Sequence, residues 1–258
     1  NPTWHQSREA LEGYIQEQMA QYRAQTASHK TAKTTGADGF NNSRYVIPTV
    51  VHVVWGSPNI TPAGEDSISL EQIETQFDVL FEDFRNIPGA RSYDDNGVDM
   101  GLEFALASVD PNGNPTTGVE YIYDPDLAVH SSGLEGSALK LPLRWDITKY
   151  MNIYIVAEIN GGGGGGTGGT ILGYATFPFV GNQQDGLVIR SDCFGRLTPA
   201  EGGTATGPSG SSRYGGTGTH EVGHWVNLYH PFQSGCGSGC ATSGDRICDT
   251  PPTIEANY

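Results

Sequence analysis

GTGTHEVGHWVNLYH, residues 216–230, gathers three of the chain's seven histidines into eleven positions and sets a glutamate directly after the first. His220 and His224 stand four residues apart, the spacing that one helical turn brings onto a single face, so both imidazoles can approach one ion. Glu221 sits one residue round the helix, within reach of a water on that ion without being a ligand. His230 lies six residues beyond His224, too far round for an unbroken helix. The helix must therefore end, and the chain must turn back. Asn227 falls where that reversal is required, and asparagine is second only to glycine in tolerating the left-handed backbone that closes helices. Three neutral nitrogens leave a zinc ion one open position, the arrangement of a hydrolytic centre, whereas closed structural sites use four protein ligands and favour cysteine.

Upstream, the pattern predicts the frame that would carry such a site. RYVIPTVVHVVW (44–55) is a β-branched run with Pro48 near its start and reads as the first strand of the main domain. In DSISLEQIETQFDVLFEDFRN (66–86), Ile68, Ile73, Phe77, Leu80, Phe81 and Phe84 share one helical face. Asp66 or Ser67 is placed to cap that helix, and Glu71 to complete a capping box. Strand composition returns at 98–109, in a hairpin-like YIYD region, and at 150–159, 173–179 and 186–192. The expectation is an α/β layer of four or five strands with two long helices. NGGGGGGTGGT (160–170) invites comparison with phosphate loops, but no Gly-Lys-Ser/Thr ends it and a strand-like stretch follows, so it reads as a flexible loop.

Residues 6–25 carry Leu11, Tyr14, Ile15, Met19 and Tyr22 near helical spacing, and a small, polar, turn-forming stretch follows to residue 43. Residues 1–44 are thus expected as an N-terminal extension or pro-segment, with the main domain over 45–258. No cysteine precedes Cys193, so a thiolate latch on a metal is impossible, and Asp38 or another acid would have to serve.

Composition excludes more than it assigns. A formal net charge of −15, from 29 acidic and 14 basic side chains, repels a phosphate backbone and argues against nucleic acid as a partner. No run of about 18 apolar residues suggests a membrane span. The chain begins at Asn1 without a methionine, which suggests a removed export signal and a secreted protein. Cys236, Cys240 and Cys248 crowd the C-terminal end, where disulfides of an oxidising compartment are the expectation, with pairing unreadable.

The motif at 220–230 resembles the signature of the metzincin zinc endopeptidases, His-Glu-x-x-His-x-x-Gly-x-x-His, with Asn227 in place of its glycine. HEVGHW and GDRICDTP (244–251), with IPTVVHVVW, DPNGNPTTG and ILGYATFP upstream, are similar to the pappalysin branch, so the resemblance runs from about residue 45 to the end. It implies a twisted, mixed five-stranded sheet with a backing helix and an active-site helix. An N-terminal subdomain would reach about residue 230, and residues 231–258 would form a partial C-terminal subdomain. It implies further that His220, His224 and His230 bind zinc and that Glu221 is general base and then proton donor, for hydrolysis of protein or peptide substrates. GYATFP would form the upper rim of a cleft, where an extended substrate adds to the sheet. Asp245 and Asp249, with Thr250, offer hard oxygens in one loop where relatives hold calcium, so a Ca²⁺ site is hypothesised.

The resemblance also implies a methionine-containing turn after the third histidine. Met19, Met100 and Met151 all precede it, and the expectation is a C-terminal fragment lying beyond Tyr258. A zinc-containing binding module without catalysis is the rival reading.

Overall fold

The structure, a computed structural model, describes residues 44–56, 68–131, 136–160, 171–177, 183–203, 212–236, 239, 243–248 and 250–255. The expected N-terminal helix, the glycine-rich stretch 161–170, the expected caps Asp66 and Ser67, and Cys240 lie outside the described residues.

The first strand, β1 (Tyr45–Trp55), is long enough to serve two neighbours in succession along one edge. Its first half pairs in parallel with β2 (Leu102–Leu106) and its second half with β3 (Val119–Tyr123). On the other edge it pairs in parallel with β5 (Met151–Val156), which pairs with β8 (Leu187–Arg190). The edge strand β7 (Gly173–Ala175) runs antiparallel to β8. The sheet is mixed, as expected, but has six strands among the described residues rather than five. The sixth is β3, which does not form the expected hairpin: it lies parallel to β1, a pairing that depends on distant partners and not on a local turn. Two short strands, β4 (Val129–Ser131) and β6 (Glu158–Asn160), pair separately.

Pro48 does not interrupt β1. The N–H groups of Tyr45 and Val51 point to the β2/β3 edge, so by alternation the position without an N–H faces β5, where pairing begins only at Thr49. The ladder loses no bond.

Both faces of the sheet are covered, which explains the continuous apolar runs. Val51, Val53, Ile153, Ile155, Leu187 and Ile189 face α1 (Leu70–Phe84) and pack with its Ile73, Leu80 and Phe84. Val54, Tyr154, Val156 and Val188 face the opposite way, against Leu139 of α3 (Gly136–Leu143) and Ala128 of the short α2 (Pro125–Ala128). The α1 cap is Ser69, whose hydroxyl accepts from the Gln72 N–H at 3.1 Å, so the helix begins later than the sequence suggested.

Polar side chains on α1 also point inward. The Gln76 amide donates to the Gly215 carbonyl at 3.0 Å and accepts from the Gly195 N–H at 2.8 Å. A Cβ at Gly218 would stand 2.5–2.7 Å from that amide, so a glycine there lets the next helix, α4 (Gly216–Trp225), lie directly on α1. Cys236, expected to share in a disulfide, is a free thiol whose Sγ–H donates to the Pro252 carbonyl, and Cys193 is also free, while Cys248 is disulfide-bonded.

Candidate metal centre

Helix α4 carries His220 and His224 one turn apart, and its axis ends at Trp225. Asn227 then adopts φ 78°, the left-handed conformation its position called for. The Asn227 N–H donates to the His224 carbonyl at 2.8 Å and the Leu228 N–H to the Gly223 carbonyl at 2.9 Å, which closes the helix and redirects the chain towards its own last turn.

The result brings the three imidazoles together. His220, His224 and His230 present their Nε2 atoms at the corners of a nearly equilateral triangle with edges of 3.1, 3.0 and 3.0 Å. The three nitrogen ligands of a tetrahedral zinc ion, at about 2.0–2.1 Å from it, stand about 3.3 Å apart, within a few tenths of an ångström of this triangle. Protonation also suits a cation. The His224 Nδ1–H donates to the Leu228 carbonyl at 2.7 Å; a carbonyl only accepts, so in the neutral ring Nε2 keeps its lone pair and aims it at the other two nitrogens. Burial, and then the neighbouring His224 and His230, push His220 down to about 4, and burial lowers His230. These two rings are therefore neutral at pH 7, the form that binds metal. Among the described residues this is the group of side chains that could together hold an ion.

Glu221 follows His220 on α4 at 5% exposure, and burial raises its carboxyl to about 7. Its nearest wall is the edge strand: a Cβ added at Gly173 would meet Glu221 Cγ at 3.1 Å and Oε1 at 3.3 Å. β7 thus packs against the Glu221 side chain at Gly173, and Phe177 beyond it packs on His224 and Tyr229, at ring separations of 5.3 and 4.8 Å. A cleft of about 340 Å³ opens at the triangle, lined also by Met100, Leu228 and Pro231. Gly173→Ala is expected to crowd both the Glu221 side chain and the Val188 carbonyl, each 3.1 Å from the added Cβ, and so to lower the melting temperature with metal content unchanged; thermal unfolding beside a metal assay checks this.

Sequence reasoning missed Gly173 and a second tie. Trp225 Nε1–H donates to both oxygens of Asp185, at 3.1 and 3.2 Å, joining the end of α4 to the segment before β8. The crowding of glycine and aromatics in GYATF was the signal available for the first; nothing local pairs Trp225 with a residue 40 positions away. At the proposed calcium loop, Asp245 Oδ1 accepts from the Ile247 N–H at 2.9 Å, Thr250 is half-buried, and Asp249 lies outside the described residues.

The fold and this histidine cluster are those of a metalloprotease. The chain belongs to the pappalysin family of metzincins: the family model Peptidase_M43, described as pregnancy-associated plasma protein-A, matches residues 140–257. Mature mirolysin of Tannerella forsythia, solved with a cleaved peptide, is 32% identical with a TM-score of 0.62 over 82% of this chain and 73% of its own. A promirolysin mutant of the same organism is 29% identical with a TM-score of 0.59 over 92% of this chain and 70% of its own. An extracellular metalloprotease of Podospora anserina is 28% identical over 97% of this chain, and one of Pyricularia oryzae 30% identical over 88%. The chain spans 70% and 63% of the lengths of these two fungal relatives. Among the described residues, no helix is long and apolar enough to cross a membrane.

Proposed function

We propose that the protein is a zinc-dependent endopeptidase, acting outside the cell on extended stretches of protein or peptide. The observation that carries this reading is the meeting of three imidazole nitrogens within 3.1 Å of one another, on and just after a helix that also carries the buried Glu221 packed against β7. His220, His224 and His230 would hold the zinc ion, which supplies Lewis acidity to lower the pKa of a water and polarise a carbonyl. Glu221 takes a proton from the attacking water and delivers it to the leaving nitrogen. Burial, which raises its carboxyl to about 7 in the metal-free protein, favours the proton-accepting part of that role. Among the described residues β7 ends the sheet, and an extended substrate would add to its outer edge as a further strand.

Residues 1–44 are read as a pro-segment. Support comes from coverage, since the promirolysin mutant aligns with 92% of the chain and the mature enzyme with 82%. The relatives named extracellular support export. For calcium, Asp245 and Thr250 supply oxygens in one loop, and the support goes no further.

The test is hydrolysis of casein by the protein once residues 1–44 have been cleaved away. Activity should accompany about one zinc per chain, disappear with a zinc chelator and return when zinc is restored. Hydrolysis indifferent to chelation, or none by a zinc-loaded protein freed of residues 1–44, would overturn the proposal.

A further inference from the structure

Lys140 on α3 is 1% exposed, among the largest fully buried side chains of the molecule, and nothing said so far accounts for it. Lysine is almost never fully buried unless its ammonium is satisfied, because desolvating the charge is costly. Here, among the described residues, it is satisfied by neutral oxygens. Nζ donates to Thr176 Oγ1 at 2.8 Å, to the Gly186 carbonyl at 2.9 Å and to the Gln184 carbonyl at 3.1 Å, three acceptors for three N–H bonds. Burial lowers the Lys140 pKa to about 8, with Asp185 opposing that shift, so the charged form prevails at pH 7.

All three acceptors lie at the two ends of one segment. Thr176 directly follows β7, and Gln184 and Gly186 directly precede β8. The Thr176 hydroxyl also donates to the Gln184 carbonyl at 2.8 Å, and its N–H to the Gly186 carbonyl at 3.1 Å. The Tyr174 ring of β7 sits 5.0 Å from Nζ. Between Gln184 and Gly186, Asp185 accepts from Trp225 of the active-site helix. A three-residue edge strand paired on one side has little cooperative support of its own. The ammonium adds three charge-assisted bonds where that support is lacking.

We infer that Lys140 is a positioning residue: its ammonium clips the two ends of the segment 176–186 together and so holds β7 in register to receive an extended substrate. This rests on the endopeptidase reading above. The inference predicts a defect in substrate binding along the rim, not in the chemistry at Glu221.

Lys140→Met keeps length and loses the charge, while Thr176→Val removes one acceptor and leaves the lysine. Each variant, once residues 1–44 have been cleaved away, is compared with wild-type protein treated alike on two peptides, one long enough to span the rim and one too short to pair along it. For the long peptide KM should rise about tenfold in Lys140→Met and about threefold in Thr176→Val, the worth of lost charge-assisted hydrogen bonds. Its kcat, the zinc content and the KM of the short peptide should stay within about twofold of wild type. Equal losses on both peptides, or an unchanged KM for the long one, overturn the inference. Should Lys140→Met fail to fold, Thr176→Val decides by the same criterion. A wild-type protein that cleaves neither peptide refutes the endopeptidase reading and this inference with it, a result distinct from a variant defect blind to substrate length.

Discussion

Glu221→Gln is expected to lower peptide hydrolysis by about a thousandfold or more, the scale of a positioned general acid and base, while zinc content stays at that of the wild type. The amide is nearly isosteric with the carboxyl, so the wall made by Gly173 should stay in place; what is lost is the group that accepts and returns a proton. Kinetics with metal analysis on the same preparation check both halves, and hydrolysis unchanged in this variant would leave Glu221 no catalytic part. A second readout follows from burial. The carboxyl titrates at about 7 in the metal-free native protein against 4.5 ordinarily, so the native state holds a proton that the unfolded chain has released. Stability associated with that proton is whole below pH 4.5 and is lost as pH rises towards 7. His220, held down to about 4, and His230 work in the opposite direction as pH rises to 6.5, so the readout is the difference between proteins: across that window the metal-free wild type should lose melting temperature relative to Glu221→Gln.

His230→Ala should remove both metal and activity. It leaves two imidazoles one helical turn apart, and zinc affinity should fall by at least about a hundredfold, since even the loss of a ligand's hydrogen-bond partner costs about ten- to a hundredfold. Equilibrium dialysis with zinc measures this directly. The contrast with Glu221→Gln is the informative part: one variant retains the ion and loses the chemistry, and the other loses the ion. Asn227→Val probes the same point through the backbone. At φ 78° a β-branched residue is strained by about 1–3 kcal/mol, so relief moves His230 away and weakens zinc binding, whereas Asn227→Gly should keep it. Retention of tight zinc by both His230→Ala and Asn227→Val would exclude the triangle as the binding site.

What could be read along the chain was what depends on neighbours in the chain. Helical spacing places His220 and His224 on one face, asparagine tolerates the left-handed turn that returns His230, and runs of β-branched residues mark β1, β5 and β8; all three rest on local backbone geometry. Local geometry also explains the errors. The helix cap moved to Ser69 because several adjacent residues can accept the same N–H groups. The partner of β3 was misjudged because a strand's composition says that it pairs but not with which neighbour. Tertiary structure alone decided that Gly173 would wall in Glu221, that Asp185 would receive the Trp225 N–H, and that a lysine would be buried to hold the rim. These contacts join residues 36 to 48 positions apart, and each exists only because β7, β8, α3 and α4 meet at one end of the sheet. The order of strands sets that meeting, and side-chain periodicity carries no information about strand order.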